Sequence, residues 1–254
     1  MLLESFSDPS RVFQYDYIYV DATLLLIWIF FLLWNKKHKA LLFGLVIAPI
    51  IYFIDAQIWW NTLTEGGVFI REYWIGGVQI THPLGEYFLL KFGADFMMTI
   101  SYALFTFSWI WIMFENVRKT NWREVIKYTS LFFVLWILTP ALSILISLND
   151  TLVQAVRHMD SQMLFWIINV LIGYSLLLIV YRHNLKLVVK VFLIGLVGAL
   201  IMEIPLYLFD IRPTSIYFVL FEAVFLLNQG VPYLFLFWDK VCQNSSILKI
   251  NNQD

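Results

Sequence analysis

The chain has 254 residues, of which 61% are hydrophobic, 19% aromatic and 14% charged. Soluble domains carry about 25% charged residues, so this composition argues against a soluble globular protein. The formal net charge of −1 gives no argument for a nucleic-acid partner, and a single cysteine, Cys242, excludes an internal disulfide and a cysteine-based metal site.

Apolar runs of about twenty residues recur along the chain, which is the length that an α-helix needs to cross a bilayer. Transmembrane β-strands would instead alternate polar and apolar residues over about ten positions. We therefore predict an all-α, multi-pass integral protein of a plasma or inner membrane, with seven transmembrane helices in one bundle that forms a single domain. In chain order, the predicted segments are residues 17–34, 40–60, 87–114, 128–148, 163–181, 187–209 and 215–238.

Basic residues are distributed unequally between the two sides of this predicted bundle. Twelve lysines and arginines fall on the side where the first, third, fifth and seventh segments end, and four fall on the other side, with Lys91 inside a helix. Basic loops are retained in the cytoplasm. We therefore expect an outside N-terminus and a cytoplasmic C-terminus.

The second and third segments are joined by the predicted outer loop, residues 61–86. Two Gly-Gly pairs, at 66–67 and 76–77, permit tight turns or a close approach of the backbone. A loop of this length is often a lid or a binding loop. A passive loop packed on the outer rim is an equally good interpretation.

Charged residues inside the predicted segments are the most informative feature of the sequence. Each costs about 2.5–3.5 kcal/mol at the centre of a bilayer, so charges retained there usually serve a function. They fall in the predicted outer half of the segments, whereas the inner halves contain almost none. The candidate catalytic residues are the four carboxylates Asp55, Asp95, Glu203 and Glu222.

Further polar and aromatic residues share helix faces with these carboxylates. Lys91 lies four residues before Asp95, so the two can form a pair on one helix face. Gln229 lies at a possible helix break, Asn228–Pro232, although a plain kink is the more common outcome. The predicted substrate-binding residues are Lys91, Trp59, Tyr102, Tyr207, Arg71 and Gln229.

The charge balance of this predicted site leaves three interpretations open. Four carboxylates facing one lysine cannot all be ionised in dry surroundings, so one of them would keep a proton and act as a general acid. Alternatively, a cation, or Arg71 or Arg212 folding in from the loops, balances the negative charge. The third interpretation is a network that ties helices together and carries no chemistry.

We expect a membrane-embedded enzyme that acts on an apolar lipid or isoprenoid by carboxylate acid/base chemistry, as a cyclase, hydratase or isomerase. Its cavity would lie in the outer half of the bilayer, and its partners would be membrane lipids and an apolar small-molecule substrate. We expect no cofactor and no metal, since four scattered histidines match no metal-ligand spacing.

The alternatives are a proton- or cation-coupled small-molecule transporter and a ligand-binding seven-helix receptor. A cavity closed at its inner end would favour an enzyme or a receptor. A continuous polar path to the cytoplasm would favour transport.

Overall fold

The computed structural model describes residues 9–158 and 160–242, and this part of the chain is mostly helical. Six of its helices are long and apolar enough to cross a membrane, which is consistent with a multi-pass membrane protein. These six are Asp16–Trp34, His38–Asn61, Gly85–Lys119, Trp122–Ser143, Met163–Val180 and Leu185–Leu208. Each corresponds to one of the first six predicted segments.

The α-helical elements, in chain order, are α1 (Asp16–Trp34), α2 (His38–Tyr52), α3 (Phe88–Asp95), α4 (Tyr102–Lys119), α5 (Trp122–Ser143), α6 (Asp160–Val180), α7 (Leu185–Leu208), α8 (Ile216–Phe225) and α9 (Val231–Phe237). Wider π-helical turns extend or join some of them. Phe53–Ile58 continues α2, Phe96–Ser101 joins α3 to α4, and Trp238–Cys242 follows α9. Such turns occur frequently at functional sites.

The predicted seventh segment is not one continuous helix. α8 ends at Phe225 and α9 begins at Val231, and the residues between them form a turn. Pro232 lies in the first turn of α9, where its missing N–H has no intrahelical partner to lose. The possible break at Asn228–Pro232 is therefore confirmed. A seventh spanning helix and the orientation of the termini stay predictions.

The centre of the bundle is the long helix Gly85–Lys119, which contains α3 and α4 and is the most deeply buried of the six. Around it lies a core of aromatic side chains. Phe105 of α4 stacks on Phe132 of α5 with ring centroids 5.8 Å apart, and Trp28 of α1 lies 5.6 Å from Phe105. Such pairs contribute about 0.5–1.5 kcal/mol beyond the burial of their area.

A small antiparallel sheet accompanies the helices, and the prediction of an all-α chain missed it. Its strands are β1 (Pro9–Gln14), β2 (Arg71–Ile75), β3 (Val78–Gln79) and β4 (Leu152–Arg157), in the order β1-β4-β2-β3. Gly76 and Gly77 form the two-residue turn between β2 and β3, with φ of 59° and 81°. Glycine is favoured there because both positions of this hairpin turn need a positive φ.

The sheet covers one end of the bundle, which we call the sheet end. β1 precedes the start of α1, β2 and β3 lie between α2 and α3, and β4 lies between α5 and α6. Backbone hydrogen bonds join these connections: Val12 N–H donates to Ile211 O at 2.7 Å, and Tyr15 N–H donates to Thr151 O at 3.0 Å. The predicted outer loop thus contributes the hairpin of β2 and β3 to this sheet.

Candidate functional site

Three arginines share the face of the sheet that is turned towards the helices. In the strand register, Arg71 of β2 stands opposite Arg157 of β4, and Arg11 of β1 stands opposite Ala155. Ala155 and Arg157 are two residues apart and therefore lie on the same face. Arg11 and Arg71 are buried and Arg157 is half-buried, so the sheet presents three guanidinium groups to the interior of the molecule.

Asp55 approaches two of these arginines from the π-helical turn after α2. One carboxylate oxygen, Oδ2, contacts Arg71 Nη1, and the other, Oδ1, lies 3.6 Å from Arg157 Nη1. Like charges directly opposite each other on neighbouring strands repel. The carboxylate between them offsets this repulsion and joins the sheet to α2.

Arg212, from the loop after α7, bridges the two glutamates. Its Nη1 donates to Glu203 of α7 at 2.5 Å, and its Nη2 donates to Glu222 of α8 at 2.6 Å. Tyr102 of α4 donates its hydroxyl proton to the second oxygen of Glu203 at 3.0 Å. Arg157 Nη2 lies 3.7 Å from Glu222, so the ion pairs form one connected network at the sheet end.

Lys91 and Asp95 form a separate cluster beside this network. Lys91 Nζ donates to Asp95 Oδ2 at 2.7 Å, and the Tyr73 hydroxyl donates to Asp95 Oδ1 at 2.5 Å. The ammonium group also lies 3.8 Å from the centroid of the Trp60 ring. Lys91 is only 2% exposed. The pair is therefore enclosed and compensated within the protein.

A cavity of about 660 Å³ opens beside the arginine network. The four arginines Arg11, Arg71, Arg157 and Arg212 lie in its wall together with Asp55 and Glu203. The remaining wall is largely apolar and aromatic, and includes Ile51, Ile54, Trp59, Phe107, Phe165, Trp166 and Leu226. The cavity thus combines an ionic region with an apolar region, as a site for an amphipathic molecule would.

The two opposed arginines differ in how well their charge is compensated. Burial by itself lowers the pKa of an arginine, but at Arg71 the adjacent Asp55 carboxylate, together with Tyr73 and Asp95, outweighs burial, and the pKa of Arg71 is raised. At Arg157 burial prevails over the more distant carboxylates Asp55 and Glu222, and the pKa of Arg157 is lowered. Arg157 is therefore the less compensated of the two charges.

The structure brings six of the ten predicted site residues into the cavity wall: Asp55, Trp59, Arg71, Tyr102, Glu203 and Gln229. Glu222 is fully buried behind the wall, where it binds Arg212. Lys91 and Asp95 lie in the neighbouring cluster. Tyr207 is half-buried on α7 and is not among the residues that line this cavity.

Arginines from the connections balance the carboxylates, which is the second of the three interpretations of the charge balance. Arg71 and Arg212 were named there, whereas Arg11, Arg157 and Trp166 were missed. The strand β4 carries a recognisable alternation, with Val153, Ala155 and Arg157 on one face. That alternation was the feature of the sequence that could have placed Arg157 on the inner face of a strand.

The described residues contain no group of three or more histidine, cysteine, aspartate or glutamate side chains that could hold a metal ion. Four of the six charged groups in the cavity wall are arginines, which suit an anionic partner. In comparisons with protein-family models, curated proteins and solved structures, no match to this chain was found.

Proposed function

We propose that this chain is a membrane-embedded enzyme that acts on an apolar lipid or isoprenoid by acid/base chemistry in the cavity at the sheet end. The observation that carries the proposal is the wall of the cavity, where a network of arginines and carboxylates meets apolar side chains. Small-molecule sites have volumes of roughly 300–1,000 Å³ and are mostly apolar with a few placed polar groups. The volume of about 660 Å³ lies in that range.

Asp55 is the carboxylate best placed to accept a proton from a substrate. It lines the cavity, and its Oδ1 has no hydrogen-bond partner among the described residues. Both oxygens of Glu203, by contrast, accept hydrogen bonds, one from Arg212 and one from Tyr102. A free carboxylate oxygen at the cavity supports a role for Asp55 as general base.

The reaction class that fits this arrangement is a redox-neutral proton shift, as in an isomerisation. Asp55 would remove a proton from one carbon of the substrate and return it to another carbon, so atoms and electrons balance without a further reactant. Arg71 and Arg157 flank Asp55 and would stabilise negative charge that develops on the substrate. Cyclisation and hydration remain within the same proposal.

A transporter is less well supported because the cavity's polar groups are concentrated at one end of the bundle. Away from the sheet end, the described part of the core is filled by aromatic side chains such as Trp109, Phe114 and Phe132. The buried polar groups there include the neutral Thr106 and Asn116, and the one buried carboxylate there among the described residues, Asp239, is paired with Arg118. This packing supports a cavity without a polar path to the opposite end.

A receptor is the second candidate, since the same cavity could bind a ligand without reacting with it. The two functions differ in the consequence of changing Asp55. An Asp55 variant that loses turnover and still binds the ligand supports an enzyme. A wild-type protein that binds the ligand and leaves the cellular lipid profile unchanged supports a receptor.

The test is chromatographic separation followed by mass spectrometry of lipid extracts from cells with and without the protein, because isomers of equal mass differ only in retention. We expect one lipid class to be depleted and an isomer of equal mass to accumulate. Asp55→Asn should reduce the turnover by a factor of about 10²–10⁴, which is the usual contribution of a general base. Asp55→Glu, which keeps the charge and moves the carboxylate by one methylene, should also lose most of the turnover.

The matched control is Glu124→Gln, a half-buried carboxylate at the opposite end, which should keep wild-type turnover. Thermal unfolding of each purified variant separates loss of chemistry from loss of folding. A folded Asp55→Asn or Asp55→Glu variant with wild-type turnover would overturn the role of Asp55. Identical lipid profiles with and without the protein would overturn the enzyme.

A further inference from the structure

We propose that the substrate of this cavity is an amphiphile whose phosphoryl head group is bound by Arg11, Arg71, Arg157 and Arg212. The inference rests on the proposed function and goes further by naming the chemical class of the ligand. Its basis is the number of guanidinium groups in the cavity wall and the donors on them that have no partner in the described part of the chain.

Each of the four arginines has a buried nitrogen without a hydrogen-bond partner in the described part of the chain. These atoms are Nη1 of Arg11 and Nε of Arg71, Arg157 and Arg212. Buried donors are nearly always paired, and leaving a charged donor unpaired costs more than the roughly 1–3 kcal/mol of a neutral one. All four side chains line the same cavity, so an anion bound there would lie beside all four guanidinium groups.

The Arg157 side chain makes no hydrogen bond within the described part of the chain. Its carboxylate contacts, to Asp55 and Glu222, are 3.6 Å and 3.7 Å long, which is beyond the usual hydrogen-bond range of about 2.7–3.2 Å. The guanidinium carbon lies 5.5 Å from the Trp59 ring centroid and 5.8 Å from that of Trp166. The two indoles therefore flank a guanidinium group whose N–H donors have no hydrogen-bond acceptor among the described residues.

The donors converge from separate elements, which favours a phosphoryl group over a carboxylate. Arg11, Arg157 and Arg71 come from three neighbouring strands, and Arg212 comes from the loop after α7. A carboxylate offers two oxygens in one plane, whereas a phosphoryl group offers three in a tetrahedral arrangement. Arginine matches the geometry of phosphate with paired N–H donors.

The charge balance of the network permits an anion to bind. Four guanidinium groups contact or adjoin three carboxylates, those of Asp55, Glu203 and Glu222. Buried Asp21 of α1 also interacts electrostatically with Arg11, which brings the carboxylates to four, so the formal charges of the network cancel. Recognition would therefore depend on the free guanidinium donors and not on net charge.

The apolar part of the cavity wall indicates where the rest of the ligand lies. Ile54, beside α2, and Phe165 of α6 line the cavity and are 37% and 62% exposed, and their chain neighbours Phe53 and Leu164, which do not line it, are 61% and 63% exposed. The apolar wall therefore continues onto the face of the bundle that would meet lipid. An alkyl chain can extend sideways through this opening while the phosphoryl group remains at the arginines, which favours a lipid over free phosphate as the source of the anion.

The experiment is equilibrium binding to the purified full-length chain in detergent, followed by intrinsic tryptophan emission, which should respond because Trp59 and Trp166 flank Arg157. The probes are dodecyl phosphate, dodecanol, laurate and inorganic phosphate. We expect dodecyl phosphate to bind at least tenfold more tightly than each of the other three probes. Arg157→Gln should weaken dodecyl phosphate binding at least tenfold and leave dodecanol unchanged.

Arg123→Gln, an exposed arginine at the opposite end, is the matched control and should bind all probes like the wild type. If dodecanol bound as tightly as dodecyl phosphate, the requirement for an anion would be overturned. If laurate bound as tightly, the preference for a phosphoryl group would be overturned. If inorganic phosphate bound as tightly, the requirement for an alkyl chain would be overturned. Arg157→Lys retains the charge without the planar fork, and wild-type affinity in this variant would overturn the geometric argument.

Binding is measured without turnover, so this test is independent of the proposed enzymatic activity. Selective binding of dodecyl phosphate with no change in cellular lipids would leave the ligand class standing and remove the enzyme. A lipid isomer formed from an uncharged substrate would leave the enzyme standing and remove the phosphoryl ligand class.

Discussion

Arg71 and Arg157 stand directly opposite each other on adjacent antiparallel strands, and the two oxygens of the Asp55 carboxylate each contact one of them. The repulsion between the two guanidinium groups is thus offset by a residue that lies outside the sheet. The register of β2 and β4 and the position of the turn after α2 therefore depend on each other.

Replacing Asp55 by Asn should destabilise the protein. Removal of one partner from a buried ion pair costs about 3–5 kcal/mol, because the remaining charge stays buried without compensation. The variant Asp55→Asn should accordingly unfold at a lower temperature in detergent, and Arg71→Gln in the same chain should recover part of the loss. The control Glu124→Gln removes a partly exposed ion pair with Lys37 and should cost less than about 1 kcal/mol. Equal unfolding temperatures for Asp55→Asn and this control would contradict the interpretation.

The enclosed pair of Lys91 and Asp95 should behave as one unit. Lys91→Met leaves the Asp95 carboxylate buried with only the Tyr73 hydroxyl as a side-chain donor, so we expect a loss of about 3–5 kcal/mol. The double variant Lys91→Met/Asp95→Leu replaces both charges by apolar groups and should be close to the wild type in stability. Thermal unfolding of the single and double variants measures the coupling. A double variant as unstable as the single one would show that the two charges are not mutually compensating.

Helix packing away from the site can be tested at Gly195 of α7. A Cβ at this position would lie 2.0 Å from Asn228 Oδ1, and Asn228 is buried and accepts a hydrogen bond from Tyr174 at 2.5 Å. Gly195→Ala should therefore destabilise the fold by about 1–3 kcal/mol, which is typical of overpacking. Gly66→Ala is the control, because the nearest atom to its Cβ would be 3.7 Å away. A neutral Gly195→Ala variant would mean that α7 and the turn before α9 are not in close contact.

The orientation predicted from the basic residues can be tested by cysteine labelling. In a chain with Cys242→Ser, a single cysteine is introduced either as Glu65→Cys at the sheet end or as Lys39→Cys at the opposite end; both positions are exposed. A membrane-impermeant maleimide should label the first variant in intact cells and the second only after permeabilisation. The reverse pattern would place the sheet end in the cytoplasm.

The six long apolar helices were predictable because the signal for them is local. A run such as 17–34 is apolar over its whole length, and its helical structure follows from the need to satisfy backbone hydrogen bonds within the segment. The first six segments were accordingly located to within a few residues at most ends, as for α1, which is Asp16–Trp34. The largest difference lies at the fourth segment, predicted as 128–148 and observed as Trp122–Ser143. The polar first turn of this helix hid its start.

The sheet was not predictable in the same way, because its strands are far apart in the chain. β1 pairs with β4 across more than a hundred residues, and β2 pairs with β4 from the opposite side. β1, β2 and β4 are five or six residues long, which leaves room for only a short alternation such as that of β4. The two-residue turn at Gly76-Gly77 left a local signal for one hairpin.

By itself, the sequence determined that apolar helices dominate and that ionisable groups gather towards one end of them, because both properties depend on residues close together in the chain. The tertiary structure alone decided what those groups meet. Folding of β1 and β4 over the helix ends brings Arg11 and Arg157 beside Asp55, Glu203 and Glu222, and pairing between such distant segments depends on contacts that no short stretch of sequence specifies. A site that local reasoning expected to hold excess carboxylates is therefore lined by arginines.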